Sequence, residues 1–518
     1  MILITSAAYV GAEFQAEFGK LPPAFLPVGN KRLFTLQAQS LREAFPDDHI
    51  WVSIPESYNI GRQDLRTLEA LNLTALSVPD GLTLADSILY SLNVIDSQDK
   101  QVRLLHGDTY LPEVPTGDDL LALSNTEDYY EWEVEKTNTE FEMVWCGFFS
   151  FSDKRHLIKQ LTVHRGNFVK AIRSYFSFIE CEKVTLPQWF DLGHINTFYK
   201  ARAKITTQRS FNELSISDTE VFKTGLPHHK IAAESRWFRE IPPSLKSYTP
   251  QLLEAGIHKD KPFYILEFLY LAPLNELYVN GNNPNFFWGK IFRHLRRWMT
   301  RCIEFDTSES IELINHSRKS LISDKSRSRI QSHFESSSLD INQPVFLNGI
   351  ELPSTNLIIE ECIEKALRIP CLPGILHGDL CFSNILYDSR ADTLKLIDPR
   401  ALDADGQFTL YGDIGYDIAK LSHSVIGLYD HLIAGAFTIQ EHRSLDFDFE
   451  ILTDERAISI QQLFLTDFNL GNLTPRDYMP LTTLLFFSML PLHSDNKLRQ
   501  SALLANAYRL YNQYVQEV

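Results

Sequence analysis

The chain has few cysteines, no excess of positive charge and no long apolar run, and each shortage excludes a class of protein. Its six cysteines, Cys146, Cys181, Cys302, Cys362, Cys371 and Cys381, stand far apart, with no CxxC pair and no zinc-ligand spacing. That excludes a disulfide framework and predicts reduced, partly buried thiols. Lys and Arg number 49 against 66 Asp and Glu, a net charge of −17. A general nucleic-acid binder holds the phosphate backbone with clustered cations, so no nucleic-acid partner is expected. Nucleotide substrates remain open, because a few local cations and a metal ion suffice for them. No apolar run approaches the ~20 residues of a membrane span, and Leu481–Leu492, shorter and holding Ser and Pro, reads as a buried helix. The opening Met1-Ile2-Leu3-Ile4 has no basic lead-in, so no signal peptide and no membrane insertion are expected, and the cytoplasm is the default location. No internal repeat is found, and nothing fixes the oligomeric state.

What is present is ordinary globular material, 44% hydrophobic and 22% charged over 518 residues, enough for two to four domains. The first ~200 residues alternate short apolar strands with helical patterns, as α/β units do. Strands are predicted at Met1–Thr5, Ile50–Ile54, Ala75–Val78, Val102–Leu105 and Trp145–Phe151, and helices at Leu33–Ala44, Asp64–Leu71 and Thr83–Leu92. The texture changes between residues 200 and 220. Val221–Lys223 and Phe263–Phe268 read as strands around a helix near Ile231–Arg239, and after Asn285 most of the chain reads helical. The Ser-rich stretch Ser317–Ser338 reads as an exposed loop or surface helix, Trp288 with Phe286–Phe287 as core, and Arg209 as part of a solvated connector. The division expected is 1–205, 206–275 and 276–518.

The strongest chemical signal is Ile375-Leu376-His377-Gly378-Asp379, then Asn384, then Leu396-Ile397-Asp398. Phosphoryl transfer from ATP needs a carboxylate to orient and deprotonate the attacking hydroxyl, and oxygen ligands for Mg²⁺ between the phosphates. Asp379 suits the catalytic base, and Asn384 and Asp398 the metal ligands. Upstream, Lys223 lies on a strand from which it would reach the α- and β-phosphates. Glu234, on the following helix, can hold that Lys, and Glu267 ends a strand where a hinge would pass the adenine.

In His377-Gly378-Asp379 with Asn384, in Ile397-Asp398-Pro399-Arg400 and in Gly412–Lys420, the chain resembles the aminoglycoside phosphotransferase and choline kinase superfamily over roughly residues 215–518. The resemblance implies an α+β protein-kinase-like fold with a mostly helical C-lobe, an ATP-dependent transfer to a small-molecule alcohol, and a bracing role for Asp417. Protein kinases fit less well, for no GxGxxG precedes Lys223 and the metal Asp sits in Asp-Pro-Arg.

The N-terminal part carries Leu26-Pro27-Val28-Gly29-Asn30-Lys31, Gly81 with Ala85, Gly107-Asp108, Glu135-Lys136 and Trp189-Phe190-Asp191-Leu192-Gly193. In that order they resemble the signatures of the sugar-phosphate nucleotidyltransferases. The resemblance implies an α/β Rossmann-like domain with a GT-A type mixed sheet, Gly81 in the turn that recognises the base, Lys136 at the substrate, and Asp108 and Asp191 as Mg²⁺ ligands. The phosphate loop departs from the family: Ser6–Glu13 holds one Gly and an acid where a base belongs, and Pro23 stands where the family has Lys, with Lys20 three residues earlier. Fewer backbone N–H groups at the phosphates weaken triphosphate binding.

Together these readings imply a bifunctional enzyme. One domain would phosphorylate a small polar acceptor, a sugar, with ATP; the other would join a nucleotidyl group from a second nucleoside triphosphate to the product, giving an activated precursor for surface polysaccharide. Fusion would keep the intermediate near the second site. Two alternatives stay open: a kinase with a degenerate binding domain, and a kinase–cytidylyltransferase for choline or another amino-alcohol.

Overall fold

Ile2, Leu3 and Ile4 are all fully buried, and so are Val102, Leu104 and Leu105 on the neighbouring strand. Such burial of successive residues, which on the second strand includes the buried Arg103, belongs to strands covered on both faces. In this computed structural model, which describes residues 1–126, 133–135, 142–206, 214–217, 219–307 and 310–516, they lie at the centre of a mixed sheet. Its order is Glu182–Thr185, Leu120–Thr126, Glu142–Phe151, Val102–His106, Ile2–Thr5, Ile50–Pro55, Leu73–Val78, with Val134–Glu135 paired beside Glu142–Phe151. Ile2–Thr5 runs parallel to both its neighbours, and Glu142–Phe151 runs antiparallel to Val102–His106 and Leu120–Thr126. Alternation along the strands divides the side chains between two cores: Leu3, Leu104 and Phe149 enter one, and Ile2, Ile4, Leu105 and Phe148 the other. The chain leaves Ile2–Thr5 toward one edge of the sheet and returns to its other side at Val102–His106. That reversal opens a crevice at the carboxyl ends of the two strands, the usual place for a ligand in open α/β sheets.

This first unit comprises Met1–Thr206 and Asn280–Asn282; the second comprises Thr207–Val279 and Asn283–Val518. The second begins with an antiparallel sheet in the order Leu214–Ile216, Glu220–Thr224, Lys261–Glu267, Leu252–His258, with the helix His228–Glu240 packed on it. A three-stranded sheet of Ala272–Pro273, Ile385–Asp388 and Thr393–Leu396 follows, and Pro373–Ile375 pairs with Tyr411–Asp413. Long helices fill the rest, among them Asn285–Ile303, Lys325–Ser337, Ile414–Val425, Met479–Ser488 and Lys497–Leu510. The chain thus joins a mixed-sheet α/β unit to a kinase-like α+β unit with a mainly helical C-lobe, the fold class expected from the sequence. All ten residues of Met479–Ser488 are buried, as the apolar stretch there predicts. Among the described residues no helix is long and apolar enough to cross a membrane.

Two expectations change. The helical C-lobe also holds a four-stranded sheet, in the order Ile350–Leu352, Val345–Leu347, Asp446–Ile451, Phe437–Arg443. The stretch Ser317–Ser338 is helical but is no loose surface piece: Ser323, Ser326, Ile330, His333 and Phe334 are buried, and Lys325–Ser337 packs against Met479–Ser488. Arg209 lies outside the described residues.

Candidate active sites

In the second unit, Lys223 sits inside the strand Glu220–Thr224 and Glu234 on the buried face of the helix His228–Glu240. Lys223 Nζ donates to Glu234 Oε2 at 2.8 Å and to Asp398 Oδ1 at 2.9 Å. Tyr264, opposite Lys223 on the next strand, donates its hydroxyl to Glu234 Oε2 at 2.8 Å. Burial alone would lower the Lys223 ammonium, but Asp398 and Glu234 more than offset it and hold it above its ordinary value. Glu267 closes the strand Lys261–Glu267, its carboxylate accepting from the Gln251 N–H at 2.8 Å, where the chain passes toward the C-lobe.

Asp379 follows the strand Pro373–Ile375, and its loop is pinned from below. The Asp417 carboxylate accepts the His377 N–H at 3.0 Å and the Gly378 N–H at 2.8 Å, while the His377 ring meets the Ile397 carbonyl at 2.9 Å. Burial pushes the Asp417 carboxyl up to about 7. Gly378 has φ +79°, and a Cβ there would lie 2.8 Å from Arg400 Cβ, so only glycine fits the turn. Asn384 Nδ2 donates to the Asp379 carbonyl at 2.9 Å and to its Oδ2 at 3.2 Å. Lys420 Nζ lies 2.8 Å from Asp379 Oδ1. Burial raises the Asp379 carboxyl, and Lys420 then holds it below its ordinary value. Asp398, just past Thr393–Leu396, takes φ +55°, an uncommon backbone for a residue with a Cβ and of a kind that clusters at functional sites. Its side chain is 48% exposed.

Asp379 and Asp398 both line a cavity of about 440 Å³. Lys420 was visible in the sequence only as the end of a motif, and the pairing of Tyr264 with Glu234 left no signal. Lys325, Arg329 and Arg400 also line the cavity; the first two fall in the stretch read as a surface piece.

In the first unit a cavity of about 400 Å³ opens at the carboxyl ends of Ile2–Thr5 and Val102–His106. Asp108 and Asp191 both line it, brought together because Phe190–Asp191 pairs antiparallel with Thr109–Tyr110. A Cβ on Gly193 would lie 2.5 Å from Asp108 Oδ2 and 3.3 Å from Asp191 Oδ1, so both carboxylates crowd one point. Burial, with Asp191 close by, pushes the Asp108 carboxyl up to about 6. Asp191 accepts from the Gly193 N–H at 2.9 Å and Thr197 Oγ1 at 2.8 Å, and lies 2.7 Å from His194 Nδ1.

Gly81 takes φ +79° in the turn before the helix Leu84–Val94, but it is Leu84, not Gly81, that lines the cavity. Ala85 is buried in the core. Lys136 lies outside the described residues. Its neighbour Glu135 is held by Lys183 Nζ at 2.8 Å and Trp145 Nε1 at 3.0 Å. Pro23 and Ala8 line the cavity, whereas Lys20 lies over the Tyr9 ring, 4.0 Å from its centroid. Among the described residues no Lys or Arg lines this cavity.

Compared with known proteins, the chain matches no family profile and no curated protein. Solved structures of two kinds are similar to it. A nucleoside-diphosphate-sugar pyrophosphorylase from Vibrio cholerae is 12% identical, with a TM-score of 0.32, over 39% of this chain and 99% of its own. An inositol-1-phosphate CTP transferase from T. maritima is 14% identical, with a TM-score of 0.29, over 40% of this chain and 97% of its own. A GDP complex of a mutant aminoglycoside 2'-phosphotransferase is 14% identical, with a TM-score of 0.36, over 59% of this chain and 89% of its own.

Proposed function

We propose that the second unit transfers the γ-phosphoryl group of ATP to a hydroxyl of a small polar metabolite, a sugar, and that the first unit joins a nucleotidyl group to the phosphate so formed. The product would be an activated precursor for surface polysaccharide, made in the cytoplasm. The observation that carries the kinase reading is the bridge from Lys223 to both Glu234 and Asp398 at 2.8 and 2.9 Å, with Asp379 lining the same cavity as Asp398. Residues 206–275 act as the N-lobe and 276–518 as the C-lobe.

In this reading Lys223 holds the α- and β-phosphates, and the hinge after Glu267 takes the adenine through its backbone. Asp379 orients the acceptor hydroxyl and receives its proton. Its carboxylate is kept ionised by Lys420, which also stands ready to offset the charge of the transferring group. Asp398 and Asn384 would hold Mg²⁺ in the second unit, and Asp108 and Asp191 in the first, where the ion would offset phosphate charge. The donor sets suit it: Asp398 is half open to its cavity, and two crowded carboxylates at Asp108 and Asp191 ask for a cation. Gly81 and Lys136 are proposed at the base and substrate of the first unit.

The second reading keeps the kinase and makes the first unit a binding domain without catalysis. It is favoured by the altered phosphate loop: Ser6–Glu13 holds one Gly and an acid where the resembled family has a base, and Ala8 and Pro23 line the cavity. Incubation of the protein with Mg²⁺, ATP, the other nucleoside triphosphates and a panel of sugars, polyols and amino-alcohols decides between them. ADP together with pyrophosphate supports the bifunctional reading, ADP without pyrophosphate the second, and neither product sinks both.

A further inference from the structure

Beside Asp379 the cavity of the second unit has a cationic wall. Lys325 and Arg329, four residues apart on the helix Lys325–Ser337, share one face of it and line the cavity together with Arg400. Like charges at this spacing cost the helix stability, and no acid compensates them: among the described residues none of the three makes an ion pair or side-chain hydrogen bond. Arg327, on the other side of the same helix, does find an acid, Glu360, at 2.6 Å. The carboxylates that line the cavity have partners of their own. Asp379 is held by Lys420, Asp398 by Lys223, and Asp403 accepts the N–H groups of Asp405 and Gln407 at 2.9 and 2.8 Å. The lining also has an apolar part, Leu481, Leu484 and Leu485 of Met479–Ser488, the helix against which Lys325–Ser337 packs.

We propose that the acceptor phosphorylated here carries an anionic group of its own, a carboxylate or a phosphate, bound by Lys325, Arg329 and Arg400, while its carbon skeleton lies on the leucines and its hydroxyl meets Asp379. The inference rests on the kinase reading of this site and narrows its acceptor to an acidic sugar or a sugar phosphate. It argues against choline and other cationic amino-alcohols, which this wall would repel. Burial and the neighbouring Arg400 and Arg329 pull the Lys325 ammonium down to about 8, the mark of positive charge packed without a counter-charge; burial and Arg400 likewise lower the Arg329 guanidinium.

The test is calorimetric binding to the intact protein of glucuronate, glucose 6-phosphate, inorganic phosphate and glucose, with a non-hydrolysable ATP analogue titrated separately. At least one anion should bind about tenfold or more tighter than glucose, and Lys325→Met and Arg329→Met should each remove about tenfold of that preference, the loss of one charge-assisted contact. The analogue's affinity should stay unchanged in both variants. Preference for glucuronate or for glucose 6-phosphate tells carboxylate from phosphate. Glucose binding as tightly as the anions, no anion binding at all, or methionine variants that weaken the analogue instead would each overturn the proposal. Failure of the analogue to bind the unmodified protein would sink the kinase reading separately, whatever the anions do.

Discussion

Lys223 is a buried ammonium whose position is set by two carboxylates, and the two have different consequences. Glu234 is 1% exposed and has a second donor in Tyr264, so removing it leaves a buried hydroxyl without its acceptor and a buried cation with Asp398 as its one remaining close partner. Glu234→Ala should lower the unfolding free energy by about 3 kcal/mol and raise KM for ATP, as measured by denaturant unfolding and steady-state kinetics. Asp398 is half exposed, and its pairing with Lys223 leaves it open to the cavity. Asp379 should behave differently from both. Asp379→Asn keeps the side chain's shape and its neighbours but removes the proton acceptor, so kcat for phosphorylation should fall by about 10²- to 10⁴-fold with KM for ATP nearly unchanged. A variant that loses ATP affinity in proportion would assign Asp379 to nucleotide binding instead.

At the scale of elements, the loop His377–Asp379 is positioned by the helix Ile414–Val425, whose Asp417 takes two of the loop's N–H groups. The loop has no slack at Gly378. Gly378→Ala should destabilise the protein by at least ~1–2 kcal/mol, the cost of a left-handed residue with a Cβ, and should reduce phosphorylation more than nucleotide binding, because Arg400 would have to move. The short helix Tyr429–Ile433 offers a pH test. Burial pushes the Asp430 carboxyl from 3.8 up to about 7, so the folded state binds this proton more tightly than the unfolded chain. Its contribution to stability is full below 3.8 and is lost as pH rises to about 7. The Tm of Asp430→Asn minus that of the unmodified protein should therefore climb across that window and level off above it. A difference that stays flat would show that Asp430 titrates normally.

For the whole molecule the testable claim is that two chemistries share one chain and remain separable. Asp379→Ala should abolish ADP formation while pyrophosphate release from a supplied sugar phosphate persists, and Asp108→Ala should do the reverse; if each change silences both reactions, the two-site reading is wrong. Much of the fold was legible because strands buried on both faces are written as apolar runs, and the candidate sites because carboxylates follow such strands at short offsets. Asp379 and Asp398 could be found in this way, with Lys223 and Glu234 upstream at the spacing of a strand and its following helix. The four-stranded sheet in the C-lobe was not legible. Its strands Val345–Leu347 and Asp446–Ile451 come from opposite sides of the loop His377–Asp379 in the chain, and short strands paired over such a separation leave no periodic trace. Nor could the sequence show that Lys420 rests on Asp379, that Thr109–Tyr110 would carry Asp108 to Asp191, or that a Ser-rich stretch would bring Lys325 and Arg329 to the cavity that Asp379 lines. Local pattern decides which segments become strands and helices and where their polar ends fall. Which of those ends meet depends on long-range pairing and burial, and only the folded chain decides that.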